Sequence, residues 1–207
     1  MTTYPITLPL GGIATAKIRH RNMVAQTRSV FTGERQVQRW PGERFEFDVS
    51  YKPYSYAVAR KMAAALASLW GGYGTLLFGD PDYLARGPLG VNTGSPVADG
   101  STPTHSETLP TKGWTASVNG ILKAGDMFQR GTGSTARLHM VTEDVNSDSS
   151  GLATLSIWPR LRSAAVDNET LIITGAKGVF ELISPAIEYS TDQASVYLFS
   201  FGLREAL

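Results

Sequence analysis

The stretch FEFDVSY, residues 45–51, decides the fold of this chain, because apolar and polar side chains alternate in it at every position. A period of two places the apolar side chains on one face of a β-strand and the polar side chains on the other. Residues 197–203 (YLFSFGL) show a similar alternation, with aromatic rings on one face. We therefore predict that these two strands lie in one sheet whose apolar face is covered.

Upstream of this strand, the sequence predicts a β-hairpin with a projecting arm over Val30–Trp40. Thr32-Gly33-Glu34 has the composition of a tight turn, with glycine at the position that needs a positive φ. Arg35, Val37 and Arg39 share one face of the second strand, and the opposite face ends at Trp40. Because both faces are mostly polar, we expect the arm to project from the domain.

Downstream, one segment is predicted to be a helix that covers the sheet. Ser55 is the candidate N-cap, and Gly71–Gly72 is the expected end. Apolar residues recur between them at helical spacing: Val58, Met62, Leu66, Leu69 and Trp70. A strand at residues 74–78 and a turn at Gly79–Asp82 are expected next.

Residues 86–113 are rich in Gly, Pro, Ser and Thr, which indicates a linker or a long surface loop leading into a second module. Five short strands are predicted beyond it, at Trp114–Val118, Asp126–Arg130, Ala136–Thr142, Leu152–Trp158 and Thr170–Thr174. Their even spacing is typical of a small β-barrel or sandwich. The predicted organisation is a discontinuous first domain (1–85 plus 178–207) interrupted by an inserted β-domain (86–177).

Composition excludes several classes of protein. The 207-residue chain has no cysteine, which excludes a disulfide scaffold, a thiolate zinc module and a cysteine-nucleophile enzyme. Its 42% hydrophobic content and net charge of +1 argue against a disordered tail and a strongly basic nucleic-acid binder. The apolar stretch at 6–13 is interrupted by Pro9 and by Gly11–Gly12, so neither a secretion signal nor a membrane helix is expected. We expect a soluble protein made in the cytosol.

The nearly neutral total conceals a charge asymmetry along the chain. Residues 1–61 hold ten basic and four acidic residues (net +6), whereas residues 62–207 hold nine basic and fourteen acidic residues (net −5). Such a split suggests a surface for a partner or for self-assembly. The alternative interpretation is that these charges lie on solvated faces of strands.

No motif supplies a catalytic or metal centre. His20, His105 and His139 lack the spacing of metal ligands. Residues 144–155 begin like an EF-hand loop, but Ser149 and Leu155 stand where glycine and a bidentate glutamate are required. We therefore predict no catalytic residue, no metal and no cofactor.

Trp114 and Trp158 lie in the predicted inserted domain. If exposed, either indole would stack on a sugar ring and act as a glycan platform. The alternative interpretation is that both tryptophans fill the core of a small domain.

Three stretches of the sequence resemble tail proteins of long-tailed, non-contractile bacteriophages. They are YGTLLFGDPDYLARG (73–87), GILKAGDMFQRG (120–131) and VTEDVNSDSSGLATLSIWPRLR (141–162). Together with a β-rich domain, a flanking helix and an inserted β-module, they make the chain similar to the distal tail proteins of these phages. The resemblance covers nearly the whole chain.

The resemblance implies a structural protein of the virion tail tip, and it implies no catalysis. Such proteins form a hexameric ring and share a tail-tube-like β-sandwich or barrel with one helix packed alongside. The implied partners are further copies of the chain, the tail-tube protein, the tail-tip hub protein and the tape-measure protein, with tail fibres or a host glycan on the periphery. DNA would pass through the channel without specific recognition.

Three classes of function stay open on the sequence. The first is the distal ring, with a tail-tube or tube-capping subunit as its structural alternative; the large insert favours the ring. Arg35, Arg39 and Arg44 are then the predicted subunit interface, meeting acidic groups on a neighbouring subunit. The second is a carbohydrate-binding module for host attachment. The third, an enzyme acting on a cell-wall polymer, lacks any catalytic constellation.

Overall fold

The protein is built mainly from β-strands, as predicted. The structure, a computed structural model, describes residues 3–8, 12–192 and 196–207. Pro9 and Gly11, which interrupt the first apolar stretch, lie outside these ranges. In chain order the elements are β1 (Ile6–Thr7), β2 (Ile13–Arg28), β3 (Arg35–Tyr51), α1 (Tyr56–Ala67), β4 (Leu76–Phe78), α2 (Pro81–Arg86), β5 (Gly94–Ala98), β6 (Thr108–Trp114), β7 (Met127–Arg130), β8 (Arg137–Val141), β9 (Ala153–Trp158), β10 (Leu171–Ile172), β11 (Gly178–Leu182), β12 (Tyr189–Thr191) and β13 (Tyr197–Glu205).

The first sheet has the strand order β1-β4-β11-β13-β3-β2, and β12 pairs with the first three residues of β13. Its neighbouring strands are antiparallel except for β1 and β4, which are parallel. In the β3–β13 ladder, Phe47 lies opposite Leu203 and Val49 lies opposite Phe201. The predicted pairing of the two alternating strands is therefore confirmed.

The core of the first sheet lies between its apolar face and α1. The apolar side chains of residues 45–51 are buried, as the period of two predicts, and Met62, Leu66 and Leu69 pack in the same cluster. The helix is confirmed, but its apolar stripe is shorter than predicted. Because α1 ends at Ala67, Trp70 sits in the following turn with a φ of 49° and is 80% exposed. Ser55 occupies the N-cap position, but its hydroxyl makes no capping hydrogen bond.

A second, short helix lies where the sequence predicts only a turn. The Asp80 carboxylate accepts a hydrogen bond from the backbone N–H of Asp82, and Pro81 occupies the first turn, where its missing N–H costs nothing. Tyr83 of this helix is buried and donates its hydroxyl to the Met127 carbonyl in β7 (2.7 Å). Helix α2 thereby ties the first sheet to the second.

The second sheet has the order β10-β7-β8-β9-β6-β5 and nearly closes into a barrel. A bridge between Val97 and Thr170 brings its two edge strands together. Its core is a separate cluster that includes Leu109, Phe128 and Leu155.

The prediction of a linker or loop over 86–113 is wrong for β5 and β6. Strand β6 is sandwiched between β5 and β9, with Leu109 and Thr111 pointing inward. Pro110 within it pairs with Thr154, and Pro96 of β5 lies at an irregularity of the ladder between Gly94 and Val97. Both strands therefore contain a proline, and in a sequence a proline argues against a central strand.

The chain leaves the first sheet after β4 and returns to it at β11, and the strands between belong to the second sheet. Met127 and Leu138 of the second sheet pack into the first core, so the two cores meet. Whether 1–85 plus 178–207 and 86–177 are independent domains stays a prediction. Neither described helix combines the length and hydropathy that crossing a bilayer requires.

Candidate functional site

A long β-hairpin projects from the first sheet. Strands β2 and β3 pair from Ile13 opposite Tyr51 to Arg28 opposite Arg35. Strand β3 pairs with β13 only between Glu46 and Ser50. Beyond that point β2 and β3 form a two-stranded ribbon, and we call residues 21–44 the hairpin arm. At ~3.3 Å per residue, the part of β3 from residue 44 to residue 35 extends about 30 Å.

The tip of the hairpin arm carries two apolar side chains in open solvent. The turn closes through hydrogen bonds from Ser29 N–H to the Glu34 carbonyl and from Gly33 N–H to the Ser29 carbonyl. Gly33 has a φ of 72°, as predicted for this turn. Val30 is 95% exposed and Phe31 is 99% exposed.

The three predicted interface arginines lie along β3 in different surroundings. Arg39 forms an ion pair with Glu107 of the second module (2.7 Å), and Arg44 pairs with Glu46 on its own strand (3.2 Å). Arg35 lies opposite Arg28, and within the described residues neither of these two forms an ion pair. Two of the three arginines thus have an acidic partner in the same chain, whereas Arg35 near the tip has no acidic partner among the described residues. Contact with a neighbouring subunit stays a prediction.

A cleft of about 500 Å³ separates the base of the hairpin arm from the second sheet. Asn22 and Arg39 line it from the arm, whereas Glu107, Trp158 and Arg160 line it from the other side. The Arg39–Glu107 ion pair bridges the two walls. The cleft is mixed in charge, so it suits a ligand with many hydrogen-bonding groups better than a purely apolar one.

The two predicted glycan platforms differ sharply in exposure. Trp114 is 5% exposed and its indole N–H donates to the Thr111 hydroxyl (2.8 Å), so neither ring face is free for a sugar in this structure. Trp158 is only partly buried and lines the cleft. Its indole N–H donates to the Asn22 side-chain oxygen (2.9 Å), and its ring contacts His20 and Phe45, with ring centres 4.7 Å and 4.8 Å away.

A group of charged side chains is buried where the hairpin arm, the second sheet and β13 meet. Arg160 donates two hydrogen bonds to Glu43. Burial alone would raise the pKa of Glu43, but the hydrogen bonds from Arg160 and from the backbone outweigh it and hold this pKa below its ordinary value.

Glu205 lies beside this pair with the opposite shift. It is 2% exposed, and burial raises its pKa to about 7 although the Arg162 guanidinium, 3.7 Å away, opposes the change. Its one hydrogen bond is accepted from the Phe45 N–H (3.4 Å), and its other oxygen has no partner among the described residues. This junction therefore holds a carboxyl group that ionises near neutral pH.

The described residues hold no group of three or more His, Asp and Glu side chains that is suited to a metal ion. The carboxylates of the acidic loop have protein partners: Asp144 accepts from Lys123 and Ala124, and Asp148 accepts from the backbone of Ser150 and Leu152. His139 is fully buried beside the Pro159 carbonyl, and burial lowers its pKa to about 3.

Reasoning from the sequence missed the cleft and the buried charge cluster. Their partners lie far apart in the chain, as Asn22 and Trp158 do, and no local pattern marks such pairs. No family model matches this sequence, and no curated protein matches it. The fold and the site define a mainly β protein with a projecting hairpin arm.

Proposed function

We propose that this chain is a structural subunit that assembles with copies of itself into a ring at the distal end of a phage tail. The ring, a hexamer by resemblance to distal tail proteins, would join the tail tube to the tail-tip hub and fibres. Its channel would pass the tape-measure protein and DNA. The chain would act at the virion tail tip after synthesis in the host cytoplasm, without catalysis.

The hairpin arm is the observation that carries this proposal. An isolated two-stranded ribbon is marginally stable in water. Here its outer part is exposed on both faces and ends in Val30 and Phe31, which are almost fully exposed. A second protein surface that covers the arm would supply the missing burial. Because the arm holds five arginines and two glutamates, its net charge is positive and the expected partner surface is acidic.

The test is the oligomeric state of the purified full-length chain across a range of concentrations. We expect mass photometry to resolve one dominant species of several subunits, and negative-stain images to show closed rings. A matched variant that lacks the arm tip, with residues 29–34 replaced by Asn-Gly, keeps a tight hairpin turn but should not assemble. Stacked tubes would support the tail-tube alternative, and a wild-type chain that stays monomeric at hundreds of micromolar would contradict the proposal.

A second candidate function, glycan binding, is favoured by the cleft that Trp158 lines. An indole beside arginine and carboxylate side chains is the combination that binds sugar rings by stacking and by hydrogen bonds. A glycan array probed with the full chain and with Trp158→Ala tests it. Binding that Trp158→Ala abolishes, and that Trp114→Phe retains, would support the function; a blank array would contradict it.

A further inference from the structure

A second cleft, of about 510 Å³, opens where the base of the hairpin arm meets the second module. Pro41 and Gly42 line it from the arm, and Arg137 and Arg162 line it from the second module. No aspartate or glutamate side chain of the described residues lines it. We call it the basic cleft, because its charged side chains are arginines.

Arg162 reaches the basic cleft with its hydrogen-bonding capacity unused. Within the described part of the chain its guanidinium donates no hydrogen bond, and its Nε and Nη2 atoms are buried without a partner. The Glu205 carboxylate lies 3.7 Å from Nη2, which is beyond hydrogen-bond distance. Buried polar groups of native proteins nearly always have a partner, so Arg162 lacks an acceptor that the described residues do not supply.

Arg137, at the start of β8, adds a second positive charge. Its Nη1 atom donates only to backbone carbonyls, those of Ser134 (3.4 Å) and Ala136 (3.0 Å). Within the described residues Arg137 forms no ion pair, and Arg162 forms one, with Glu205. Two guanidinium groups therefore line one cleft without a carboxylate hydrogen-bonded to either.

The acids beside these arginines do not neutralise the cleft. Burial holds the pKa of Arg162 below its ordinary value, and the charge of Arg137 lowers it further, although the nearby acids oppose both effects. Of these acids, Glu43 already accepts two hydrogen bonds from Arg160. Glu205 has a pKa of about 7, so near neutral pH a large share of the molecules hold it without charge. The excess of positive charge favours an anionic ligand.

The other donors favour a phosphate group over a carboxylate. His105 and Ser163 line the basic cleft, and within the described residues neither side chain makes a hydrogen bond. They lie on the segments before β6 and after β9, so the donors around the cleft come from separate parts of the chain. A phosphate group accepts on oxygens that point in different directions, whereas the oxygens of a carboxylate lie in one plane. Arginine binds phosphate through parallel N–H groups.

We propose that the basic cleft binds the phosphate group of a small organic molecule, with Arg137 and Arg162 as its guanidinium ligands. His105 and Ser163 supply further hydrogen bonds, and the ring of Pro41 contacts the organic part. The cleft volume of about 510 Å³ lies within the roughly 300–1,000 Å³ of pockets for such molecules. This site goes beyond the proposed assembly and does not depend on it.

Isothermal titration calorimetry of the full chain with phenyl phosphate tests the site, at constant ionic strength so that general screening does not change. We expect one ligand per chain. Arg137→Gln should weaken binding about tenfold or more, because it removes a hydrogen bond between charged groups. Arg137 is chosen because removal of the more buried Arg162 would also disturb Glu205. The matched control is Arg60→Gln, which removes one positive charge from the exposed side of α1.

The choice of ligands distinguishes the chemistry that the site recognises. Binding of phenyl phosphate that Arg137→Gln weakens and Arg60→Gln retains would support the site. Inorganic phosphate that binds as tightly as phenyl phosphate would support the phosphate ligands and contradict the contact with an organic part. Benzoate that binds as tightly would overturn the assignment to phosphate. Equal losses for the two variants, or no heat of binding with millimolar phenyl phosphate, would overturn the site, whatever the oligomeric state of the chain.

Glu205→Gln gives a second, independent measurement. The charged groups that face Glu205 are Arg44, Arg137 and Arg162, and arginines stay protonated near neutral pH. Above its pKa of about 7, Glu205 is mostly ionised and competes with a phosphate for Arg162. The substitution removes this competitor, so phenyl phosphate should bind more tightly and raise the unfolding temperature further than in the wild type. An unchanged affinity would contradict a phosphate beside Arg162.

Discussion

The substitution Glu205→Gln should flatten the dependence of stability on pH. Burial raises the pKa of Glu205 from an ordinary value of 4.5 to about 7, so the folded chain retains a proton that the unfolded chain has lost. Between these two pKa values the unfolded state binds fewer protons, and the stability of the wild type therefore falls as pH rises. Each pKa unit corresponds to about 1.4 kcal/mol, so the loss between pH 4 and pH 8 approaches about 3 kcal/mol.

Urea unfolding followed by tryptophan fluorescence at a series of pH values measures this effect. Glutamine cannot ionise, so the variant should lack the fall in the free energy of unfolding that Glu205 causes as pH rises. Any loss of stability from the substitution itself should be the same at every pH. The difference between the two pH profiles separates the contribution of Glu205 from the contributions of the other titrating groups. Glu181→Gln, on the paired strand β11 and partly exposed, controls for the removal of one negative charge. Parallel profiles for the wild type and Glu205→Gln would refute the reasoning.

Three further predictions concern the interior and the cleft. His139 is fully buried with a pKa of about 3, so its ring proton resonances should not titrate between pH 5 and 8; a midpoint in that range would contradict its burial. Leu66→Ala in α1 should lower the free energy of unfolding by about 2–5 kcal/mol, because the side chain is buried. Val58→Ala, on the exposed side of the helix, should lower it little. Equal losses in chemical denaturation would count against the observed orientation of the helix. A double-mutant cycle of Arg39→Ala and Glu107→Ala should give a coupling below about 1 kcal/mol, since both side chains are largely exposed; a larger value would indicate a desolvated pair.

The parts of the fold that follow from local patterns were predictable from the sequence. The alternation at 45–51 and 197–203 reflects one buried face, so it identified two strands and their shared sheet. The turn at 32–34 was marked by Gly33, whose positive φ few other residues adopt without strain.

The parts that depend on tertiary context were not predictable. Strand β6 was missed because Pro110 interrupts it, and because one of its inward residues is Thr111, whose hydroxyl is satisfied by the Ala153 carbonyl. The exposure of Trp114 and Trp158 depends on neighbours that are distant in sequence. The raised pKa of Glu205 has the same origin, because the residues beside it, such as Phe45 and Arg162, are distant in sequence.

Strand β3 is one unbroken run of 17 residues that serves both as the stalk of the hairpin arm and as a central strand of the first sheet. A pull on the tip along the strand passes through an irregularity of the β2–β3 ladder at Pro41 and Gly42 and then enters the ladder with β13. Because the hydrogen bonds of an antiparallel ladder run perpendicular to the strands, such a force shears them together instead of opening them one at a time. The arm is in this sense a mechanical lever anchored in a strand of the first core, and tension between neighbouring molecules would be borne by the core of each.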